Sequence, residues 1–235
     1  MEENRVVVFA PHPDDETLGC GGTIARRVRE GCDVKIFFMT DGRNALSKLF
    51  GIFSDPSPSE VAEMRRNEAI RATGILGLRE ENLFFLGIED GCLEKEIVSV
   101  QERLKELLEG ESFKEIYFTS DREFHPDHQA TSTIVRNMIN DLDIRCDSYN
   151  YIISPNHGQL GSRMQVALGI FKRILVYSDI SEFINLKRKA LDEYKSQISI
   201  ISERQKKPVL DKVVLERFLK SKEVFLRYGI KLGHP

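Results

Sequence analysis

Short apolar runs alternate along this 235-residue chain with longer stretches in which apolar positions recur every three or four residues. Residues 5–10 hold Val6, Val7, Val8 and Phe9 in succession, followed by Ala10. That continuity suits a strand covered on both faces better than one with a wet side. Similar runs at 34–40, 82–86, 116–119, 149–153 and 173–177 predict five more strands. Between them, helical spacing predicts helices over 21–30, closed by Gly31, and over 57–76. The second opens on Ser57-Pro58-Ser59-Glu60, a capping box with proline at the first helical position. Residues 94–108 place Ile97, Val100, Leu104, Leu107 and Leu108 along one side of a helix. Further helices are predicted over 128–139, 181–197 and 211–228. Residues 43–56, punctuated by Gly51 and Pro56, read as a long loop. No fixed-period repeat or low-complexity segment interrupts the pattern.

Strands that alternate with helices of this length build a mainly parallel sheet with helices on both faces, a Rossmann-like three-layer α/β sandwich. One domain over 1–235 is expected, with a core at about 5–200 and a helical C-terminal extension at about 201–235. Right-handed crossovers bring every strand-to-helix loop to one edge of such a sheet. Ligands bind at that edge, which here carries 11–16, 40–43, 87–91 and 120–128.

Composition narrows the partners. Hydrophobic residues make up 41% of the chain, enough for a substantial core, and 34 Lys and Arg against 37 Asp and Glu leave a formal charge of −3. No basic excess exists to neutralise phosphates, so nucleic acid is excluded as the main partner. The basic stretches at 187–189 and 204–207 read as solvated faces or loops. No apolar run approaches a membrane span, and the first residues lack a signal-peptide pattern. Four cysteines without a CxxC pair point to free thiols in a reducing cytoplasm and away from a cysteine-based zinc site. Cys20, flanked by Gly19, Gly21 and Gly22, reads as a small buried residue in a tight turn. Those glycines lack both GxGxxG spacing and the P-loop lysine, so a nucleotide loop is discounted.

The chemistry concentrates at two strand ends. After the first strand comes Ala10-Pro11-His12-Pro13-Asp14-Asp15-Glu16, four ionisable groups in five residues. Carboxylates this close repel one another and need a partner in a partly buried crevice. A divalent cation relieves that cost, and imidazole with carboxylate suits zinc, or less specifically iron, manganese or cobalt. After the fourth strand comes His125-Pro126-Asp127-His128. Three of the chain's five histidines thus lie in two His-Pro-Asp segments that the topology brings to one rim, 113 positions apart. The other two, His157 and His234, read as loop residues or remain unassigned. The alternative is that both segments are simply polar turns.

With these residues in place, the chain resembles the N-acetylglucosaminyl de-N-acetylase superfamily (PIG-L/LmbE-like proteins). The resemblance rests on Pro11-His12-Pro13-Asp14-Asp15-Glu16, Gly21-Gly22-Thr23-Ile24, Thr40-Asp41-Gly42, Arg65 with Glu68, Leu86-Gly87 ahead of Asp90-Gly91, and His125-Pro126-Asp127-His128. A later match is Asp179-Ile180-Ser181 with Lys187 and Tyr194-Lys195-Ser196-Gln197. It implies a zinc-dependent hydrolase that removes acetyl from an N-acetylated amino sugar or glycoconjugate. By position, His12, Asp15 and His128 would hold the zinc, Asp14 would be the general base, and His125 would sit beside the developing oxyanion. Arg65 and Asp90 would line the sugar-binding rim. Where some relatives carry a tyrosine two positions before the first histidine of the second motif, this chain has Glu123.

The residues alone support the same chemistry. Three protein ligands leave zinc an open position for water, whose pKa drops to about 7. Asp14 is free to take its proton, and a positively charged His125 would stabilise the oxyanion. Glu16 either orients a ligand from behind or caps the following helix. Asp127 is either a helix cap or a partner to an imidazole. Asp41 and Asp90 either bind sugar hydroxyls or serve as turn residues before glycine. Arg65 and Glu68 have the spacing of a surface pair, and Tyr194 with Gln197 that of packing. A phosphoesterase, with two metal ions, and a non-catalytic sugar- or metal-binding protein are the competing readings. The C-terminal helices pack either on the core or on a second subunit.

Overall fold

The computed structural model describes residues 4–153 and 175–229. Strand β1 (Arg5–Ala10) is the third strand of a seven-stranded sheet ordered β3-β2-β1-β4-β5-β7-β6, with β2 at Asp33–Thr40, β3 at Leu83–Ile88, β4 at Glu115–Thr119, β5 at Asp147–Tyr151, β6 at Leu175–Asp179 and β7 at Lys222–Tyr228. The first five are parallel, and β7 runs antiparallel between β5 and β6. The expected three-layer α/β sandwich is present.

The alternation of β1 side chains explains both layers. Val6, Val8 and Ala10 face one core, shared with Cys20 and Ile24 of helix α1 (Asp15–Arg29) and with Ala69 and Ala72 of α3 (Pro58–Ile75). Val7 and Phe9 face the other, with Leu104 of α4 (Ile97–Leu108) and Ile134 of α5 (Pro126–Asp141). Two wet-free faces account for the unbroken apolar run. The capping box at Ser57 and Glu60 forms as expected.

Four expectations require correction. Helix α1 begins at Asp15 and not at 21, so the glycines of 19–22 lie inside a helix, where a Cβ on Gly19 would strike the Tyr151 ring and one on Gly22 would strike Ile180. Their absence of side chains lets α1 lie close to the sheet. Within the expected loop at 43–56, Ala45–Phe50 forms helix α2. The expected helix at 181–197 is broken into α6 (Ile184–Leu191) and α7 (Lys195–Ile198). The expected helix at 211–228 is a short helix, α8 (Lys212–Phe218), followed by β7, so the C-terminal region is not purely helical and completes the sheet. Among the described residues, no helix is long and apolar enough to cross a membrane. His157 and His234 lie outside the described residues.

Candidate metal centre

Strand order reverses between β1 and β4, and at such a switch the loops on either side part to leave a crevice at the carboxyl ends of the strands. The two His-Pro-Asp segments leave those two strands. His12 Nδ1, His128 Nε2 and Asp15 Oδ2 form a triangle with edges of 3.2, 3.2 and 3.3 Å. A tetrahedral ion with bonds of 2.0–2.1 Å needs donors about 3.3–3.4 Å apart, so this donor set fits one divalent cation. His125 also brings a ring nitrogen to within 4.8 Å of those of His12 and His128.

The tautomer of His12 is set from behind. Asp127 Oδ2 lies 3.2 Å from His12 Nε2 and also accepts the Gly91 N–H at 2.6 Å, while Oδ1 accepts the Leu93 N–H at 3.3 Å. The fully buried carboxylate therefore accepts the Nε2–H and leaves Nδ1 with a free lone pair facing Asp15. Asp127 is thus the imidazole partner, and the cap of α5 is His125, whose Nδ1 accepts the Asp127 N–H at 3.2 Å. The helix starts two residues earlier than expected as a result.

That cap also corrects the charge of His125. A ring nitrogen that accepts an N–H cannot carry a proton, so this imidazole is neutral and its Nε2–H is the free donor. Burial and the neighbouring His12 and His128 push its pKa down to about 4. His12 and His128 move the other way. Burial opposes their charge, but Asp127, Asp15 and Asp90 lift His12 well above the ordinary imidazole value, and Asp15 lifts His128 to about 9. The carboxylates around the triangle call for positive charge at its centre.

Asp14 sits beside the triangle in a strained backbone, with φ 133° and ψ −27°. Glu16 holds that turn: its Oε2 accepts the Asp14 N–H at 3.0 Å, and its Oε1 accepts the hydroxyls of Thr17 and Tyr194. Glu16 therefore braces the start of α1 and touches no donor of the triangle. The Asp14 carboxylate accepts from Arg65 Nη2 at 2.8 Å. Burial raises its pKa to about 7 against the pull of that guanidinium.

Arg65, which lines the cavity over the triangle, and Asp41 are both engaged by protein groups. Arg65 donates to the Pro13 carbonyl twice, to the Gly42 carbonyl at 3.1 Å and to Asp14, which commits four of its five N–H donors. It does not pair with Glu68, which is buried and accepts from the Ser196 N–H and hydroxyl at 2.7 and 2.6 Å. Asp41 accepts from Arg43 and from the Asp90 N–H, as a turn residue does. Asp90 lies in the cavity wall, but its carboxylate is shared by Lys48 Nζ at 2.8 Å and the Asn44 N–H at 3.2 Å.

A cavity of about 260 Å³ opens over the triangle. Its inner end is His12, Asp14, Asp15, His125 and His128, and its outer wall includes Leu49, Ile153, Val209 and Leu210. Asn44 and Lys48 of this wall were not foreseen. They flank or belong to α2, and the only signal was the helical spacing of Leu46, Leu49 and Phe50 in a segment bounded by Gly42 and Gly51.

A mainly parallel sheet with a histidine–carboxylate cluster at its topological switch defines a metal-binding α/β protein with the donor set of a hydrolase. The profile of the PIG-L family, described as GlcNAc-PI de-N-acetylase, matches residues 7–139, and the chain belongs to that family. A probable N-acetyl-alpha-D-glucosaminyl L-malate deacetylase 2 of Bacillus anthracis is 26% identical over 202 residues, covering 84% of this chain and 83% of the relative. Its counterpart from Bacillus cereus is 31% identical over 132 residues, 55% of this chain, and the match spans 58% of that relative's length. Among solved structures, an N,N'-diacetylchitobiose deacetylase from Pyrococcus horikoshii superposes with a TM-score of 0.69 at 21% identity, covering 96% of this chain and 84% of that one.

Proposed function

We propose that this protein is a zinc-dependent amide hydrolase that removes the N-acetyl group from a GlcNAc-type amino sugar or glycoconjugate, in the cytoplasm, whose reducing conditions suit four cysteines that form no disulfide. His12, Asp15 and His128 hold the ion. The donor triangle carries the reading, because its edges match the spacing a tetrahedral ion requires. The ion supplies an activated water and polarises the amide carbonyl.

The chain's own residues do the rest. Asp14, with a pKa near 7, accepts a proton at neutral pH and can return it to the leaving amine. Arg65 keeps that carboxylate aimed and partly compensated. His125 Nε2–H, held by the cap on its other nitrogen, donates to the oxygen that becomes negative as the tetrahedral centre forms. The curated relatives' names point to an N-acetylglucosaminyl substrate.

The phosphoesterase reading needs a second ion. A second donor group, His12, Asp90, His125 and Asp127, does come within 4.8 Å. Its carboxylates are already occupied by His12 Nε2, Lys48 and backbone N–H groups, which disfavours it. The test is acetate release by the zinc-loaded protein from GlcNAc, diacetylchitobiose, GlcNAc-inositol and GlcNAc-malate. Release from at least one is expected, with Asp14→Asn binding zinc but releasing none. A zinc-loaded protein that deacetylates nothing, or an Asp14→Asn variant at full rate, overturns the assignment.

A further inference from the structure

Glu123 is a buried carboxylate beside the metal triangle that the mechanism above leaves without a task. It lies in the loop from β4 to α5, and its side chain is wholly inaccessible to solvent. Burying a carboxylate costs several kcal/mol unless a donor or cation faces it. Oε1 accepts the Ile153 N–H at 2.6 Å. Oε2 points at His128 Nδ1, 3.6 Å away. That Nδ1 is itself buried and makes no hydrogen bond. The loop is pinned, since the Glu123 carbonyl accepts from Gln129 Nε2 at 2.7 Å. On the opposite nitrogen, His128 Nε2 faces Asp15 and His12.

The arrangement repeats, for the second imidazole, what Asp127 does for the first. We infer that Glu123 is a positioning residue that serves as acceptor for the Nδ1–H of His128, so that both imidazoles of the metal triangle present a fixed lone pair inward, each backed by its own buried carboxylate. A carboxylate behind a ligating imidazole orients the ring and raises its basicity, and losing one elsewhere costs about 10- to 100-fold in metal affinity. The inference rests on the metal assignment of His12, Asp15 and His128 but not on the substrate.

The test uses the full chain and no substrate. Zinc affinity is measured by competition with a chromophoric chelator for the parent, Glu123→Gln and Asp127→Asn. Glu123→Gln keeps an acceptor for the Ile153 N–H while removing the charge behind His128. Both variants are expected to bind zinc about 10- to 100-fold more weakly, with the metal-free melting temperature of Glu123→Gln close to that of the parent. Nitrogen-15 spectra of the zinc-loaded parent are expected to show His128 protonated at Nδ1 and ligating through Nε2, a readout that needs no variant to fold. Unchanged zinc affinity in Glu123→Gln, or His128 ligating through Nδ1, overturns the inference. A loss matched by an equal weakening of the metal-free fold also overturns it. A parent that binds zinc as described but releases no acetate refutes the deacetylase reading alone.

Discussion

Arg65 shows how one side chain decides what its neighbour can do. It sits on α3, yet its guanidinium reaches the Pro13 carbonyl and the Asp14 carboxylate, so it braces the turn that carries the base. An opposite charge at this range lowers a carboxylate pKa by about 1–3 units. Burial has already raised Asp14 to about 7. In Arg65→Gln the burial effect and the charges of Asp15, His12 and Glu16 remain while the guanidinium's pull is lost, so the pKa rises further. Activity that depends on ionised Asp14 is gained as pH rises through that pKa, so the acid limb of kcat/KM is expected to move up by about 1–3 units. An unmoved limb would remove Asp14 from the rate law. His125 is tested separately: His125→Ala deletes one donor to the oxyanion and is expected to cost about 10²–10³ in kcat, with zinc affinity within a few fold, by chelator competition. The donors themselves were legible in the chain because a charge density like that of residues 12–16 has few uses. The role of Arg65 was not, because i,i+3 spacing with Glu68 looks the same whether the pair meets in solvent or turns inward to separate partners.

Helix α1 carries Asp15 and Glu16 and is anchored by two later elements. Lys187 of α6 and Glu223 of β7 form a buried ion pair at 2.7 Å. Lys187 Nζ also donates to the Leu18 carbonyl at 2.8 Å, while Glu223 accepts the Gly22 and Thr23 N–H groups at 2.9 and 2.8 Å. Removing one partner of such a pair leaves a buried charge and costs about 3–5 kcal/mol. Lys187→Met is therefore expected to lower the urea midpoint by that much stability. Asp143→Ala, which deletes the Arg145–Asp143 pair with both side chains at least 80% exposed, is expected to change it by no more than about 1 kcal/mol. Equal effects would mean that the buried pair does not hold α1. The same pair explains why β7 was missed. Its inward positions are Glu223 and Phe225, so the period-2 alternation that marks a strand carries a charge where an apolar residue is expected. Without glycine or proline near Ser221, the apolar residues before and after it run together as one helical pattern. The break between α6 and α7 was hidden for a related reason, since Tyr194 turns inward to Glu16, a partner 178 positions away in the sequence.

At the scale of the whole molecule, the metal centre ties together chain segments that fold from distant sequence. His12 and His128 are 116 positions apart, one in the turn after β1 and the other in α5, which follows the neighbouring parallel strand β4. An ion that binds this arrangement and not the unfolded chain adds RT ln(1 + [L]/Kd) to stability, about 4 kcal/mol at a thousandfold excess over Kd. For a chain of this length each kcal/mol is worth about 2–4 °C in Tm. Chelation of the zinc-loaded protein is thus expected to lower Tm by about 8–16 °C, and fresh zinc to restore it, as read by differential scanning calorimetry. His128→Ala removes one corner of the triangle and is expected to abolish that difference, whereas Asp14→Asn leaves the triangle whole and keeps it. The two variants separate holding the ion from using it: a Tm shift that survives in His128→Ala would place the ion elsewhere, and one lost in Asp14→Asn would make the base a ligand.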